Sequence, residues 1–415
     1  MPLRWDETST DPGSLTSREV WARSGAMALT GRADGPPLVA PDGVVDRIRA
    51  LGRSLDVDVL GLMVERASIA GLRRQGATSC GGSARLLPTA DGWIAVSLPR
   101  PDDLDMVPAW LEIDAVERDA MWDIVAEQAA QRATIVLVDR AILLGLAAAA
   151  VGGSAMPAPE AGGPFTGLPI RARRASRERR PVEGVPLVVD LSSLWAGPLC
   201  GRLLADRGAE VVKVESTARP DGARQGPAEF FDLLHGGHAS VALDLRSPDG
   251  RDRLQRLLTR ADVVIESSRP RALAHLGIDA EAMLDAGVAV WVSITGHGRT
   301  GRDGDRIAFG DDAAAGGGLV ATDAAGFCFV ADAAADPLSG VTSAAAAVAA
   351  LRSGGAWRID VNMADVARHV AGPDPGRWQP GVEDLAAPPR HELPGRPAPA
   401  LGAQTESVLR ARDAW

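Results

Sequence analysis

In the second half of the chain, short apolar runs alternate with helical stretches. Residues 185–191 form one such run, apolar almost throughout and ending in Asp190-Leu191, which suits a strand buried on both faces. A short helix over 198–207 stops at Gly208, and 209–214 is the next strand. Ser247-Pro248 opens a further helix, with Ser as N-cap and Pro at the first helical position, and Leu254, Leu257 and Leu258 make its apolar face. Strands follow at 261–265 and 288–294, the last ending at Thr295-Gly296-His297-Gly298. Strands alternating with helices at this spacing predict an α/β fold: a Rossmann-like parallel sheet with helices on both faces, over residues 183–372.

The first half has a different texture. Residues 1–20 are polar and uncapped and read as a flexible tail; 21–75 are a mostly helical segment. Residues 85–98 read as a hairpin, with Thr89-Ala90-Asp91-Gly92 as its turn, and 109–152 read as helical, so 76–170 form a smaller α+β domain. Six arginines crowd 171–181 without periodicity, which makes 171–182 an exposed linker. Residues 373–415 are a Pro-rich C-terminal arm, stiff and extended enough to reach a neighbour.

Composition removes whole classes of function. The 415 residues suggest two or three domains. Forty-four basic against 54 acidic residues leave a net charge of −10, with no basic block, which argues against nucleic acid and anionic membrane partners. The longest apolar run, 141–151, is about half a membrane span and contains Gly145. The N-terminus has neither an apolar h-region nor a transit-peptide bias, so the expectation is a cytoplasmic protein. Cys80, Cys200 and Cys328 imply neither disulfides nor zinc-ligand spacing, and no metal site is expected. All six histidines lie beyond residue 234.

The first strand–helix turn, Ser192-Ser193-Leu194-Trp195-Ala196-Gly197-Pro198, has one glycine, so it is not a dinucleotide fingerprint, and no Walker A loop exists. A ligand at the C-terminal ends of the strands remains the default expectation. Asp336-Pro337, ahead of the alanine-rich run 343–351, reads by itself as an N-cap with Pro at the first helical position.

Val189-Asp190-Leu191, Ala196-Gly197-Pro198 and Leu204-Ala205-Asp206-Arg207-Gly208-Ala209-Glu210-Val211-Val212-Lys213-Val214-Glu215 resemble the opening of the family III coenzyme A transferases. That group includes formyl-CoA and carnitine CoA-transferases and, on the same fold, α-methylacyl-CoA racemase. The likeness continues through Ser240-Val241-Ala242-Leu243-Asp244-Leu245-Arg246-Ser247-Pro248, Arg269-Pro270 and Ser293-Ile294-Thr295-Gly296-His297-Gly298. Segment order departs from the family: stretches resembling its middle and its small domain precede the Rossmann-like half, as if the chain were permuted or fused.

The resemblance implies a CoA transferase in which Asp336, four residues ahead of Gly340, is the nucleophile, with Asp332 as its competitor. A carboxylate at a helix N-terminus is expected to be held ionised by the amide dipoles. Ala196, Leu243, Arg246, Arg269 and Gly296 match the family's CoA-binding blocks, Arg246 and Arg269 facing phosphates. Ser267-Ser268 stands where the family usually has Asn and an aromatic residue. Before Ser240 the family's basic stretch is replaced by a segment in which His235 and His238 could partly substitute. No permanently bound cofactor is implied; acyl-CoA and a carboxylic acid are the substrates and a homodimer the expected assembly. The alternatives are an acyl-CoA racemase, whose histidine is missing from 306–312, and a non-catalytic CoA-binding relative.

Overall fold

A computed structural model of the chain describes residues 15–415 apart from 115–116, 154–158, 160, 176–181, 183 and 375. Its central sheet has seven strands: β1 (Arg171–Arg174), β2 (Leu187–Asp190), β3 (Glu210–Ser216), β4 (Ala239–Leu243), β5 (Val263–Glu266), β6 (Val290–Thr295) and β7 (Trp357–Asn362). They lie in the order β4-β3-β2-β5-β6-β7-β1, all parallel except β1, which runs antiparallel to β7. Val189 stands opposite both Val212 and Val264 in this register. Strand order reverses between β2 and β5, so a crevice opens at their C-terminal ends.

Side-chain alternation divides these apolar runs between two cores. Val263 and Ile265 point into one, with helices α1 (Ala196–Ala205) and α2 (Ala335–Ser353) and the N-terminal residues Trp21, Ile48 and Met63. Val264 and Trp291 point into the other, with Leu254, Leu257 and Leu284. The N-cap expected at Ser247 is present: its hydroxyl accepts from the Gly250 N–H at 3.0 Å, and Pro248 opens the helix. The hairpin expected at 85–98 is Ala84–Pro88 paired antiparallel with Trp93–Ser97.

Four readings of the chain change. Residues 15–20 are not an uncapped tail, because Thr16 and Glu19 form a capping box on a helix beginning at Ser17; residues 1–14 lie outside the described residues. The helical reading of 109–152 fails at its end. Gly145, at φ +69°, terminates the helix Thr134–Leu144, and Ala147–Ala150 becomes a third strand beside Trp93–Ser97. The first residues of the expected linker, Arg171–Arg174, form strand β1, whose arginines find carboxylates: Arg171 pairs with Asp365 at 3.0 Å. The C-terminal arm lies along its own chain. Gln379–Pro380 pairs with Leu38–Val39, and the Gln404 and Thr405 side chains accept from the Ser240 and Ala242 N–H groups at 2.8 and 2.9 Å.

Candidate active site

The chain enters α2 through a contorted turn. Ala331 and Ala333 have φ of 52° and 44°, a left-handed backbone that costs an L-residue about 1–2 kcal/mol each. Specific partners hold them there: the Ala331 N–H donates to Thr30 Oγ1 and the Ala333 N–H to Asp311 Oδ1, both at 3.1 Å. Between them Asp332 is wholly buried and takes a bidentate pair from Arg66, Nε at 2.8 Å and Nη2 at 2.5 Å. The Arg66 guanidinium also lies over the Trp195 ring, 5.3 Å from its centroid.

Asp336 occupies the second position of α2, behind an Ala334 N-cap, so the Asp cap expected from the sequence is not made. Its carboxylate lies instead against Gly310. Gly310 opens the short helix Gly310–Gly316; a Cβ on Gly310 would stand 2.4 Å from Asp336 Oδ2 and 2.3 Å from the Ala333 carbonyl oxygen. Only glycine allows that approach. Asp336 keeps part of its surface exposed, whereas Asp332 has none.

The electrostatics also differ from the helix-dipole expectation. Burial pushes the Asp336 carboxyl up to about 7; Arg66 opposes the shift, and Asp312 and Asp332 add to it. Asp311 rises to about 7 and Asp312 to about 6, burial again being the main cause. Asp312 is fully enclosed, accepting from Ser97 Oγ at 2.7 Å and the Phe309 N–H at 2.9 Å. Through that Ser97 contact the smaller α+β unit docks on its own chain beside the aspartates.

Gly340, one turn along α2, packs against the start of α1: a Cβ there would lie 2.7 Å from the Ala196 carbonyl oxygen and 3.0 Å from Leu199 Cβ. Two residues singled out from the sequence, Asp336 and Ala196, are therefore brought to one place by this contact. Gly340→Ala is expected to destabilise the fold by about 1–3 kcal/mol through overpacking, read as a lowered urea midpoint at unchanged slope. An unshifted midpoint would contradict the close α1–α2 packing.

The CoA-binding candidates all lie at or past the C-terminal ends of parallel strands. Ala196, Arg269 and Gly296 follow the adjacent strands β2, β5 and β6; Leu243 ends β4 and Arg246 follows it, two strands further along. Leu243 is buried, and Arg246 is exposed with an ion pair to Asp244 at 3.2 Å. Arg269 is the N-cap of the helix Pro270–His275. Gly296 is a close-approach position, its absent Cβ only 2.4 Å from that of Ala308. Buried charges brace the loop to Ala196. Lys213 lies 2.9 Å from Asp221 and donates to the Ser192 carbonyl, while Asp221 accepts from the Leu194 N–H at 3.0 Å and Leu194 takes φ 72°. His235 and His238 are buried and cannot replace lost cations. Burial and the nearby Lys213 hold His238 down at about 4 and His235 well below the usual range, so both stay neutral.

Sequence reasoning missed Arg66, which lies 266 residues from Asp332 with no local motif to mark it. It also missed Gly310, whose role is visible only once Asp336 packs against it.

A sheet with one switch point, and a partly exposed aspartate on a helix packed against the turn leading from it, define an α/β protein with a candidate site at the strand ends. The chain belongs to CoA-transferase family III, whose sequence profile matches residues 183–415. It is 35% identical over 154 residues to the succinyl-CoA–D-citramalate CoA-transferase of Chloroflexus aurantiacus, covering 35% of this chain and 38% of that protein. It is 32% identical over 215 residues to the succinate–glutarate CoA-transferase of Agrobacterium fabrum, covering 45% and 52%. The chain thus spans about two-fifths to one half of the length of these relatives. Among solved structures, a CaiB/BaiF family protein from Brucella suis matches with 31% identity and a TM-score of 0.43, over 47% of this chain and 56% of that one. Among the described residues no helix is long and apolar enough to cross a membrane.

Proposed function

We propose that this chain, as a homodimer, moves coenzyme A from an acyl-CoA to a carboxylic acid through an aspartyl-CoA thioester on Asp336. The observation that carries the reading is the partly exposed Asp336 carboxylate, seated against Gly310 beside the α1 turn while its neighbour Asp332 is buried and occupied by Arg66.

The steps balance without an added proton. The Asp336 carboxylate attacks the donor thioester carbonyl, the C–S bond breaks, and CoA leaves as the thiolate from a mixed anhydride. The thiolate then attacks the aspartyl carbonyl and releases the donor acid as its carboxylate, leaving aspartyl-CoA. The acceptor carboxylate runs the same exchange in reverse and frees Asp336. An enzyme-bound thioester conserves the energy that hydrolysis would lose, and the burial around Asp336 is what limits water. Ala196, Leu243, Arg246, Arg269 and Gly296 are the positions assigned to CoA, at the edge where open parallel sheets receive ligands. Intact-protein mass spectrometry after incubation with succinyl-CoA, glutaryl-CoA and hydroxyacyl-CoAs tests the reading. A CoA-sized adduct mapping to Asp336 supports it, and no adduct with any donor overturns it.

The racemase alternative needs a second acid/base group beside the substrate α-carbon. Asp312 lies in the segment where the family racemase has its histidine, but it is sealed in by Ser97 and Phe309. No exchange of the α-proton of a 2-methylacyl-CoA is therefore expected in deuterated water. Rapid exchange seen by proton NMR would put the racemase first.

A further inference from the structure

A cavity of about 410 Å³ lies between the smaller α+β unit and the loop that follows β6. That volume suits a small molecule. One side is apolar, with Trp93, Ile135 and Val138 from the smaller unit. Ile135 is 58% exposed, so the cavity reaches solvent beside it. The other side carries His297, Arg306 and Arg368 from the sheet half of the chain.

These three side chains hold donors that the fold leaves unused. His297 Nε2 and Arg306 Nε are buried without hydrogen-bond partners among the described residues, and a buried donor left unmet is costly. Arg306 commits its other nitrogens to the Ala148 carbonyl and to Asp303, both at 3.3 Å. Arg368 pairs with Asp365, which Arg171 shares. Burial and the two arginines hold His297 well below its usual range, so its ring is neutral and free to carry its proton on Nε2. Asp91, the acid among the lining residues, already accepts from the Thr134 N–H and Oγ1, both at 2.8 Å. Unmet donors facing an apolar wall are what an anionic group on an apolar body requires.

This cavity is separate from the transfer site. Its lining includes none of Asp336, Asp332 and Arg66. The wholly buried helix Gly310–Gly316 stands between the two, with Gly310 against Asp336 at one end and Gly316 lining the cavity at the other.

We infer that the cavity is a second ligand site, for a small organic anion that is not a substrate. A carboxylate or phosphate sits on His297, Arg306 and Arg368, and an aromatic or branched apolar body lies against Trp93 and Val138. The ligand thereby bridges the smaller unit to the sheet. The inference does not depend on the chemistry at Asp336.

Calorimetric titration of the whole chain with benzoate and phenyl phosphate, against neutral benzamide and inorganic phosphate, tests this. The better of the two aromatic anions identifies the headgroup. It is expected to bind at least about tenfold tighter than benzamide, the worth of one charge-assisted contact, and tighter than inorganic phosphate, which lacks the body. Arg306→Gln and Arg368→Gln should each weaken it about tenfold. Ile135→Glu, at an exposed position, should weaken it about threefold by placing a negative charge at the mouth. Thermal melts check that each variant folds. An aromatic anion no tighter than benzamide, inorganic phosphate bound equally tightly, or an affinity that survives all three variants would overturn the inference. So would displacement of the anion by saturating coenzyme A, which would give the cavity to CoA. Failure of the transfer reading looks different: anion binding would persist while no CoA adduct forms.

Discussion

Asp336→Ala is expected to abolish CoA transfer, by at least about a thousandfold, as loss of a covalent nucleophile does elsewhere. The adduct seen by mass spectrometry should vanish with it. The fold should survive, because the Asp336 side chain caps no helix and its backbone N–H, which donates to the Ala333 carbonyl, is kept in alanine. Removing a buried carboxyl pushed up to about 7 even relieves a strain: such a group favours folding fully below its unfolded pKa, near 3.8, and loses that contribution as pH rises through about 7. The variant's melting temperature should therefore fall less than the wild type's between pH 6 and 8. In the wild type, adduct formation should rise through about pH 7 as Asp336 ionises, opposite in direction to the stability. A normally folded variant with full transfer would remove Asp336 from the reaction.

Arg66→Gln should cause the largest loss of stability, about 3 kcal/mol, because it leaves Asp332 buried with its bidentate partner gone. The figure is the low end for breaking such a pair, since part of the Arg66 side chain reaches solvent. A second effect separates this role from simple packing. Arg66 is the cation that opposes the upward shift of Asp336, so its loss should move the pH midpoint of adduct formation higher. Arg66→Lys keeps the charge but not the fork geometry, and should restore the midpoint better than the stability. A midpoint unmoved in Arg66→Gln would show that Arg66 only braces the turn.

Below neutrality the buried histidines act in the other direction. His235, His238 and His297 are held down in the folded chain, so the stability they contribute is present above about 6.5 and lost as pH falls, toward about 4 for His238. Acid and base limbs thus come from different residues.

The parallel strands, the Ser247 cap and the Asp91-Gly92 hairpin were readable from sequence because their causes are local: an apolar run, a hydroxyl three residues from an amide, a turn that needs its residues in order. The family motifs that contain Val189-Asp190, Ala196, Asp336 and Gly340 were readable for another reason, as an ordered set on one half of the chain. Tertiary structure decided what depends on distant neighbours. Ala147–Ala150 became a strand because an open edge at Trp93–Ser97 accepted it, and Arg171–Arg174 because β7 did. Burial turned His235 and His238 from surface cations into neutral core groups. The ionisation of Asp336 was set in the same way, by a desolvated cluster that draws Arg66, Asp311, Asp312 and Asp332 from separate segments. Desolvation and charge coupling act through space over a few ångströms, and residue spacing along the chain does not encode them.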